Sequence, residues 1–409
     1  MDPSKGAAAI TGLGLVTPAG IGVPENWERV CSGESTASTD PALRGIAVDF
    51  SCRVPGFDAA TLLDRKAARR LDRFVQLAVV AAREAIADSG LDPDTWDGAR
   101  VGVVLGCGMG GTHTWETQHR RLMEHGPGRV SAMLIPMLAP NMVAGQLAIE
   151  FGATGPNLVT ATACASGATA IGVARDLLRS RACDVVLTGG TESAATPLSI
   201  AGFAQMGALS GRCDDPAAAS RPFDVDRDGF VAAEAAGVLV LERVEDARAR
   251  GARAHALLIG CGASADGYHA TAPDPEGAGA ERAIRAALAD AGVGPSEIQH
   301  VNAHGTSTPL NDAAEAKVLR RVLGDGAAVT STKGVTGHAL GAAGAIEAAY
   351  TALAIEHGVI PPTANLDSQD PEITLDVVAK SPREQRLEVA MSDSFGFGGQ
   401  NAVLVMSRA

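Results

Sequence analysis

The feature of this chain that most restricts its fold is an alternation of short Val/Ile-rich runs with longer Ala-rich stretches of helical character. The runs fall at 100–105 (RVGVVL), 157–162 (NLVTAT), 184–188 (DVVLT), 237–241 (GVLVL), 300–302 and 402–406. Short apolar runs of this kind read as buried strands. Between them, 71–87 is the clearest helix: Leu71, Phe74, Val75, Ala78, Ala82 and Ile86 recur at i, i+3, i+4 spacing, and Gly90 supplies a stop. Strands and helices in alternation predict an α/β protein built in layers. The most charge-dense connector, VEDARARGARAH at 244–255, predicts a division into halves 1–250 and 251–409. Both halves end in hydrophobic strands, which allows an internal duplication, although the sequence carries no clear self-similarity.

Composition then narrows what the layers can do. With 46% hydrophobic and 20% charged residues, the chain is far from the balance that leaves a polypeptide disordered. A formal net charge of −13 argues against sequence-independent nucleic-acid binding, which needs a broad basic surface. Partners are therefore expected to be small molecules or proteins. The cysteines at 31, 52, 107, 164, 183, 213 and 261 form no CxxC pair and no Cys/His cluster at metal spacing. That predicts neither a disulfide framework nor a zinc site, and fits a reducing cytoplasm. The first residues lack a charged n-region and no run approaches 18 apolar residues, so neither an export signal nor a membrane span is expected.

Four segments bring together residues that could do chemistry. Cys164 lies in TACASGATA, where a strand run gives way to a helical ATAIGVARDLL. Amides and dipole at a helix N-terminus favour a thiolate, which predicts an activated nucleophile; a buried structural cysteine is the plainer reading. His304 lies in NAHGTSTP, at a strand end, followed by glycine and three hydroxyls. Lys333 and His338 lie in KGVTGHALGAAG, whose small residues permit close backbone approach, with Glu347 beyond. SFGFGGQN at 394–401 sets Phe395 and Phe397 among glycines before the last strand, where amides could reach a ligand. Together these supply a nucleophile, two imidazoles, a lysine and an amide-rich loop, the inventory of a thioester site.

In this order the four motifs, with ASRPFDVDRDGFV at 219–231 and VIPPTANLD at 359–367, resemble the elongating β-ketoacyl-acyl-carrier-protein synthases over nearly the whole chain. The resemblance implies a thiolase fold, with duplicated βαβαβαββ halves layered α-β-α-β-α, and decarboxylative Claisen condensation with a malonyl thioester. It implies Cys164 as acyl acceptor, and His304 and His338 as the pair that promotes decarboxylation and stabilises the enolate. Lys333 and Glu347 match a supporting ion pair, and the amides of Cys164 and Phe397 an oxyanion hole. Thr306 and Thr308 match residues that bond the phosphopantetheine arm, while Met109, Phe203, Phe395 and Gly398 match acyl-pocket positions. No cofactor and no metal are implied. The implied partners are an acidic acyl carrier protein, and a second copy or a chain-length-factor-like subunit in a dimer. The alternatives are a non-catalytic partner subunit, opposed by the presence of Cys164, His304, Lys333 and His338, and a thiolase, whose cysteine and histidine motifs differ.

Lys66, Arg69, Arg70 and Arg73 would form a basic carrier-docking face if the helix at 71–87 began near Thr61, with Arg129 extending it; Gly207 stands where some relatives have an arginine. Glycines beside Met109 and Phe397 suggest that both gate an acyl tunnel. Two motif matches are set aside. GCGMGG at 106–111 satisfies GxGxxG but lacks the acidic residue closing a second strand. Asp224, Asp226 and Asp228 begin like a calcium loop but have Ala235 at the twelfth position.

Overall fold

The computed structural model describes residues 6–409; the first five residues of the predicted 1–250 half lie outside the described residues. The first repeat runs β1 (Ala8–Thr17), α1 (Arg73–Ser89), β2 (Val101–Gly106), α2 (Met142–Phe151), β3 (Asn157–Thr160), α3 (Ser166–Arg179), β4 (Val185–Ser193) and β5 (Glu234–Arg243). The second runs β6 (Ala256–Ala265), α4 (Ala278–Ala291), β7 (His300–Asn302), α5 (Pro309–Leu323), β8 (Ala328–Thr330), α6 (Ala343–His357), β9 (Val389–Gly396) and β10 (Gln400–Ser407).

Strand order exposes a duplication that the residues do not. It is β3-β2-β4-β5-β1 in the first repeat and β8-β7-β9-β10-β6 in the second: third, second, fourth, fifth, first in each. In both, the first three strands are parallel and the last two join antiparallel. The repeats meet edge to edge where Ala8–Ile10 of β1 pairs with Ala256–Leu258 of β6. Helix α1 covers the outer face of the first repeat and α4 with α5 that of the second, while α3 and α6 cross between them. The result is the α-β-α-β-α stack.

That crossing explains the glycines and alanines of the central helices. A Cβ at Gly167 would sit 2.7 Å from the Ala345 amide nitrogen, and one at Gly344 would sit 2.8 Å from that of Ala168. Backbones this close admit no side chain. Helix α6 is buried from Ala343 to Ile355, so it carries no apolar stripe and offers sequence reasoning no period to find.

One predicted element is corrected. No helix runs unbroken from Thr61: short helices span Ala59–Leu62 and Arg65–Arg70, and α1 starts at Arg73 after an extended Leu71. Two aspartates cut the chain. Asp64 accepts hydrogen bonds from the amides of Lys66 and Ala67, and Asp72 accepts from the Thr114 amide and hydroxyl, offering the backbone alternatives to helix. At its far end α1 stops as expected, with Gly90 left-handed at φ 68. Among the described residues, no helix is long and apolar enough to cross a membrane.

Candidate active site

Cys164 is held on a strained turn. After β3, Ala163 adopts φ 48, a left-handed conformation unusual for a residue with a Cβ, and a single turn of 3-10 helix at Ala163–Ala165 leads into α3. The Ser166 hydroxyl locks the turn, donating to the Ala163 carbonyl at 2.6 Å and accepting from the Thr162 amide at 2.9 Å. The Cys164 side chain is only 6% exposed, and its Sγ lies 3.0 Å from Nε2 of His338. Burial pushes the thiol up to about 12, although the Lys333 ammonium and a hydrogen bond from the Phe397 backbone pull the other way. Burial thus opposes the thiolate that the helix terminus favours, and the sulfur faces an imidazole that can take its proton.

The imidazoles come from the second repeat. His304 follows the end of β7, its amide donating to the Glu315 carboxylate at 2.6 Å and that of Gly305 at 2.7 Å. Its carbonyl accepts from Nζ of Lys333 at 2.5 Å. His338 arrives on the long connection between β8 and α6 and is tied to the first repeat, its amide bonding the Val231 carbonyl at 2.7 Å. The two rings meet edge to face, centroids 5.3 Å apart. Burial, reinforced by the Lys333 charge, holds both imidazoles well below their usual range, so both are neutral. A neutral imidazole offers one N–H donor and one acceptor. Lys333 and Glu347 form an ion pair with side chains 1% exposed; burial pushes the Glu347 carboxyl up to about 7, partly offset by Lys333.

Donor atoms of Cys164, His304 and His338 all lie within 4.8 Å of one another, close enough to share an ion. The adjacent Lys333 ammonium, however, opposes a further cation there. What the trio offers is proton handling: a thiol, a base in contact with it, and a second imidazole opening onto a cavity of about 340 Å³. That volume lies within the range of small-molecule sites.

The other sequence-predicted residues divide by position. Thr306, Thr308, Phe395, Phe397 and Gly207 line this cavity, with the two threonine hydroxyls 2.9 Å apart and the Phe395 ring 5.9 Å from that of His304. Phe203 stands behind it, edge-on to Phe230, which in turn packs edge-on against His338. Gly398 is at the surface, its amide bound to the Ala270 carbonyl. Met109 is 38% exposed and not part of the cavity wall. The glycines beside Met109 are tightly seated: a Cβ at Gly110 or Gly111 would strike the carbonyl of Leu138 or Met137 within 2.6 Å. Lys66, Arg69, Arg70 and Arg129 are exposed, whereas Arg73 turns inward to Glu234 at 2.7 Å and leaves the basic face. Of the calcium-like aspartates, Asp224 serves structure: it is fully buried and takes Arg221 and the amides of Asp226, Asp367 and Ser368.

Sequence reasoning missed Glu315 and Glu192, both buried. The signal for Glu192 was available, since an acid in the otherwise uncharged run VVLTGGTES is out of place unless its oxygens are satisfied.

Comparison with known proteins agrees along the whole length. The family description "Beta-ketoacyl synthase, N-terminal domain" matches residues 7–247, and "Beta-ketoacyl synthase, C-terminal domain" matches 255–367. The chain is 46% identical to a 3-oxoacyl-[acyl-carrier-protein] synthase 2 of Synechocystis, covering 99% of this chain and 98% of that protein. It is 35% identical to the ishigamide ketosynthase/chain length factor, with a TM-score of 0.91, covering 98% of this chain and 99% of that one. It is 33% identical, again with a TM-score of 0.91 and coverage of 98% and 99%, to a chain of the complex AntDE:AntF, a type II acyl-carrier protein with its ketosynthase bound to the hexaketide.

Proposed function

The chain belongs to the β-ketoacyl synthase family, and from that premise we propose how its residues divide the reaction. The activity is that of an elongating 3-oxoacyl-acyl-carrier-protein synthase, the decarboxylative Claisen condensation of a cysteine-bound acyl chain with a malonyl-carrier thioester. The observation that carries the assignment of roles is the 3.0 Å contact between Cys164 Sγ and His338 Nε2, beside His304 at the cavity end.

In the first half-reaction Cys164 attacks the acyl thioester carbonyl. The thiol proton passes to His338 Nε2 and on to the departing carrier thiolate, so charge balances and the acyl group is left on sulfur. In the second, the malonyl carboxylate leaves as carbon dioxide and its bonding pair moves into the thioester, forming an enolate. N–H groups of His304 and His338 stabilise its oxygen, His338 having shifted its single proton from Nδ1 to Nε2 once the thiol is acylated, so that each neutral imidazole presents one donor. The enolate carbon then attacks the acyl carbonyl on Cys164. The resulting oxyanion is met by the amides of Cys164 and Phe397, and collapse expels the cysteine thiolate, which takes up a proton from solvent in place of the one that left with the carrier thiol. Lys333, anchored by Glu347, fixes the His304 carbonyl and biases both rings to the neutral form.

Thr306 and Thr308, at the cavity wall, suit the amides of a phosphopantetheine arm. Lys66, Arg69, Arg70 and Arg129 would receive an acidic carrier protein. No cofactor or metal enters these steps. A dimer partner, either a second copy or a chain-length-factor-like subunit, would cover apolar side chains such as Met123 and Leu198, 72% and 63% exposed. Free cysteines suit a reducing cytoplasm. The test is intact-mass analysis of the protein given acyl-carrier thioesters. An acyl adduct on Cys164 that malonyl-carrier converts to a β-ketoacyl product supports the reading, and an adduct elsewhere refutes it.

A further inference from the structure

The glycine-rich turn at 106–111, which matched a dinucleotide motif, spends its amides on a carboxylate of the chain itself. Glu192, at the end of β4, is fully buried. Its Oε2 accepts from the Gly108 amide at 2.8 Å and the Gly341 amide at 3.3 Å, and its Oε1 from the Met109 amide at 3.2 Å. The Cys107 thiol lies 3.6 Å from the same carboxylate. This seat dictates the glycines: a Cβ at Gly108 would lie 2.8 Å from Glu192 Oε2, and one at Gly341 would lie 2.7 Å from it.

The duplication gives the seat a meaning. Gly341 is the counterpart of Cys164: each follows a left-handed residue, Leu340 at φ 45 and Ala163 at φ 48, in a 3-10 turn that opens a central helix. By strand register Gly106 pairs with Thr160 and Gly190, as Asn302 pairs with Thr330 and Ser392. Two residues on, Gly108 and Met109 therefore stand where His304 and Gly305 stand in the second repeat. Both turns are gripped through the same pair of amides by a buried glutamate, Glu192 in one and Glu315 in the other. Only the first grip reaches across to the opposite repeat, through Gly341.

We propose that Glu192 is a positioning residue of the condensing reaction, clamping the Gly108–Met109 turn onto the Gly341 turn and thereby setting which acyl chains Cys164 accepts. The turn is pinned at Gly110 and Gly111 by backbone, so Glu192 is the hold on its other end. The Gly108–Met109 turn also lies beside the turn that bears the nucleophile: a Cβ at Gly108 would lie 3.9 Å from the carbonyl of Ala163, the residue before Cys164. The inference rests on Cys164 carrying the acyl group.

The variant Glu192→Gln keeps the size, removes one acceptor oxygen and turns an N–H₂ toward amides that need an acceptor. With the full chain, single-turnover loading of Cys164 from a short and a long acyl-carrier thioester is followed by intact mass. The ratio of the two rates is expected to change by about tenfold or more. Gly341→Ala, whose Cβ would lie 2.5 Å from the Gly108 amide nitrogen, should move the ratio in the same direction with the carboxylate intact, and decides the matter alone if Glu192→Gln does not fold. A ratio unchanged in the folded variants, or equal slowing of both lengths, overturns the proposal whatever happens to Tm. Amide hydrogen exchange over 107–111 reads the clamp without substrate: it should rise about tenfold in Glu192→Gln, and unchanged exchange overturns the clamp. Wild-type protein that loads no acyl group, yet shows the exchange effect, instead refutes the functional reading of Cys164.

Discussion

Replacing His338 by alanine should change how acyl loading responds to pH as well as how fast it is. A thiol pushed up to about 12 by burial is far less ionised at pH 7 than an ordinary cysteine, of which a few per cent is thiolate. Spontaneous ionisation is thus a poor route to the nucleophile. His338 Nε2, 3.0 Å from the sulfur, supplies another: the proton leaves as the carbon–sulfur bond forms, and the thiolate never has to exist alone. A positioned base of this kind contributes about 10²- to 10⁴-fold, so loading in His338→Ala should fall by that factor. The remaining rate must wait for the thiol to ionise and should climb about tenfold per pH unit between pH 7 and 9, while the wild-type profile stays shallower. His304→Ala, which leaves the contact in place, should load nearly normally and fail in malonyl decarboxylation. Single-turnover acylation by quenched mass spectrometry measures all three proteins. Loading in His338→Ala at the wild-type rate with the wild-type pH profile would refute the neutral-thiol account.

Other outcomes are expected from the same geometry. Cys164→Ala should take up no acyl mass while keeping the wild-type Tm within a few degrees, and retained adduct would sink the nucleophile. Gly167→Ala would bring a Cβ to 2.7 Å from the Ala345 amide nitrogen and should cost about 1–3 kcal/mol by overpacking, read as a lower urea midpoint at constant m; an unchanged midpoint contradicts the close crossing. Reversing the charge of Arg69 and Arg70 together should raise KM for acyl-carrier substrate, less so at high salt because the Debye length is only about 8 Å at physiological ionic strength. Turnover of a small pantetheine thioester should not change, and equal loss on both substrates would rule the patch out as the docking surface.

How much of this was legible in the sequence depends on what each residue's role requires. Strands fully buried on both faces gave themselves away where they were rich in Val, as in β2 and β5. A strand escaped notice where Gly and Ala replace Val, as in β6 (ALLIGCGASA), which is buried over its first half, since close packing against helix α4 asks for absent side chains: a Cβ at Gly262 would lie 2.1 Å from the Ala283 carbonyl. The helix α1 was read correctly at its glycine stop and misread at its start, because Asp64 and Asp72 spend their carboxylates on local and tertiary amides rather than on one continuous helix. Cys164, His304, Lys333 and His338 stood out by motif, but the state of the thiol did not. A sequence shows a helix N-terminus and cannot show that the sulfur is dry.

The duplication also accounts for where the chemistry sits. In the first repeat the connection from β3 to α3 is short, Ala161 to Ala165, and ends on the strained turn bearing Cys164. In the second, the connection from β8 to α6 runs from Ser331 to Ala342, and the additional residues are the ones that hold Lys333 and His338. That longer segment crosses to the first repeat, where the His338 amide and carbonyl bond Val231 and Ala233 and the ring meets the sulfur. At the equivalent turn the second repeat has Gly341, its amide taken by Glu192, so no second nucleophile forms. One repeat thus carries the thiol and the other both imidazoles. The base touches its nucleophile only because α3 and α6 cross at glycine-to-backbone distance. Any change that separates these helices should therefore damage acylation before it unfolds either sheet.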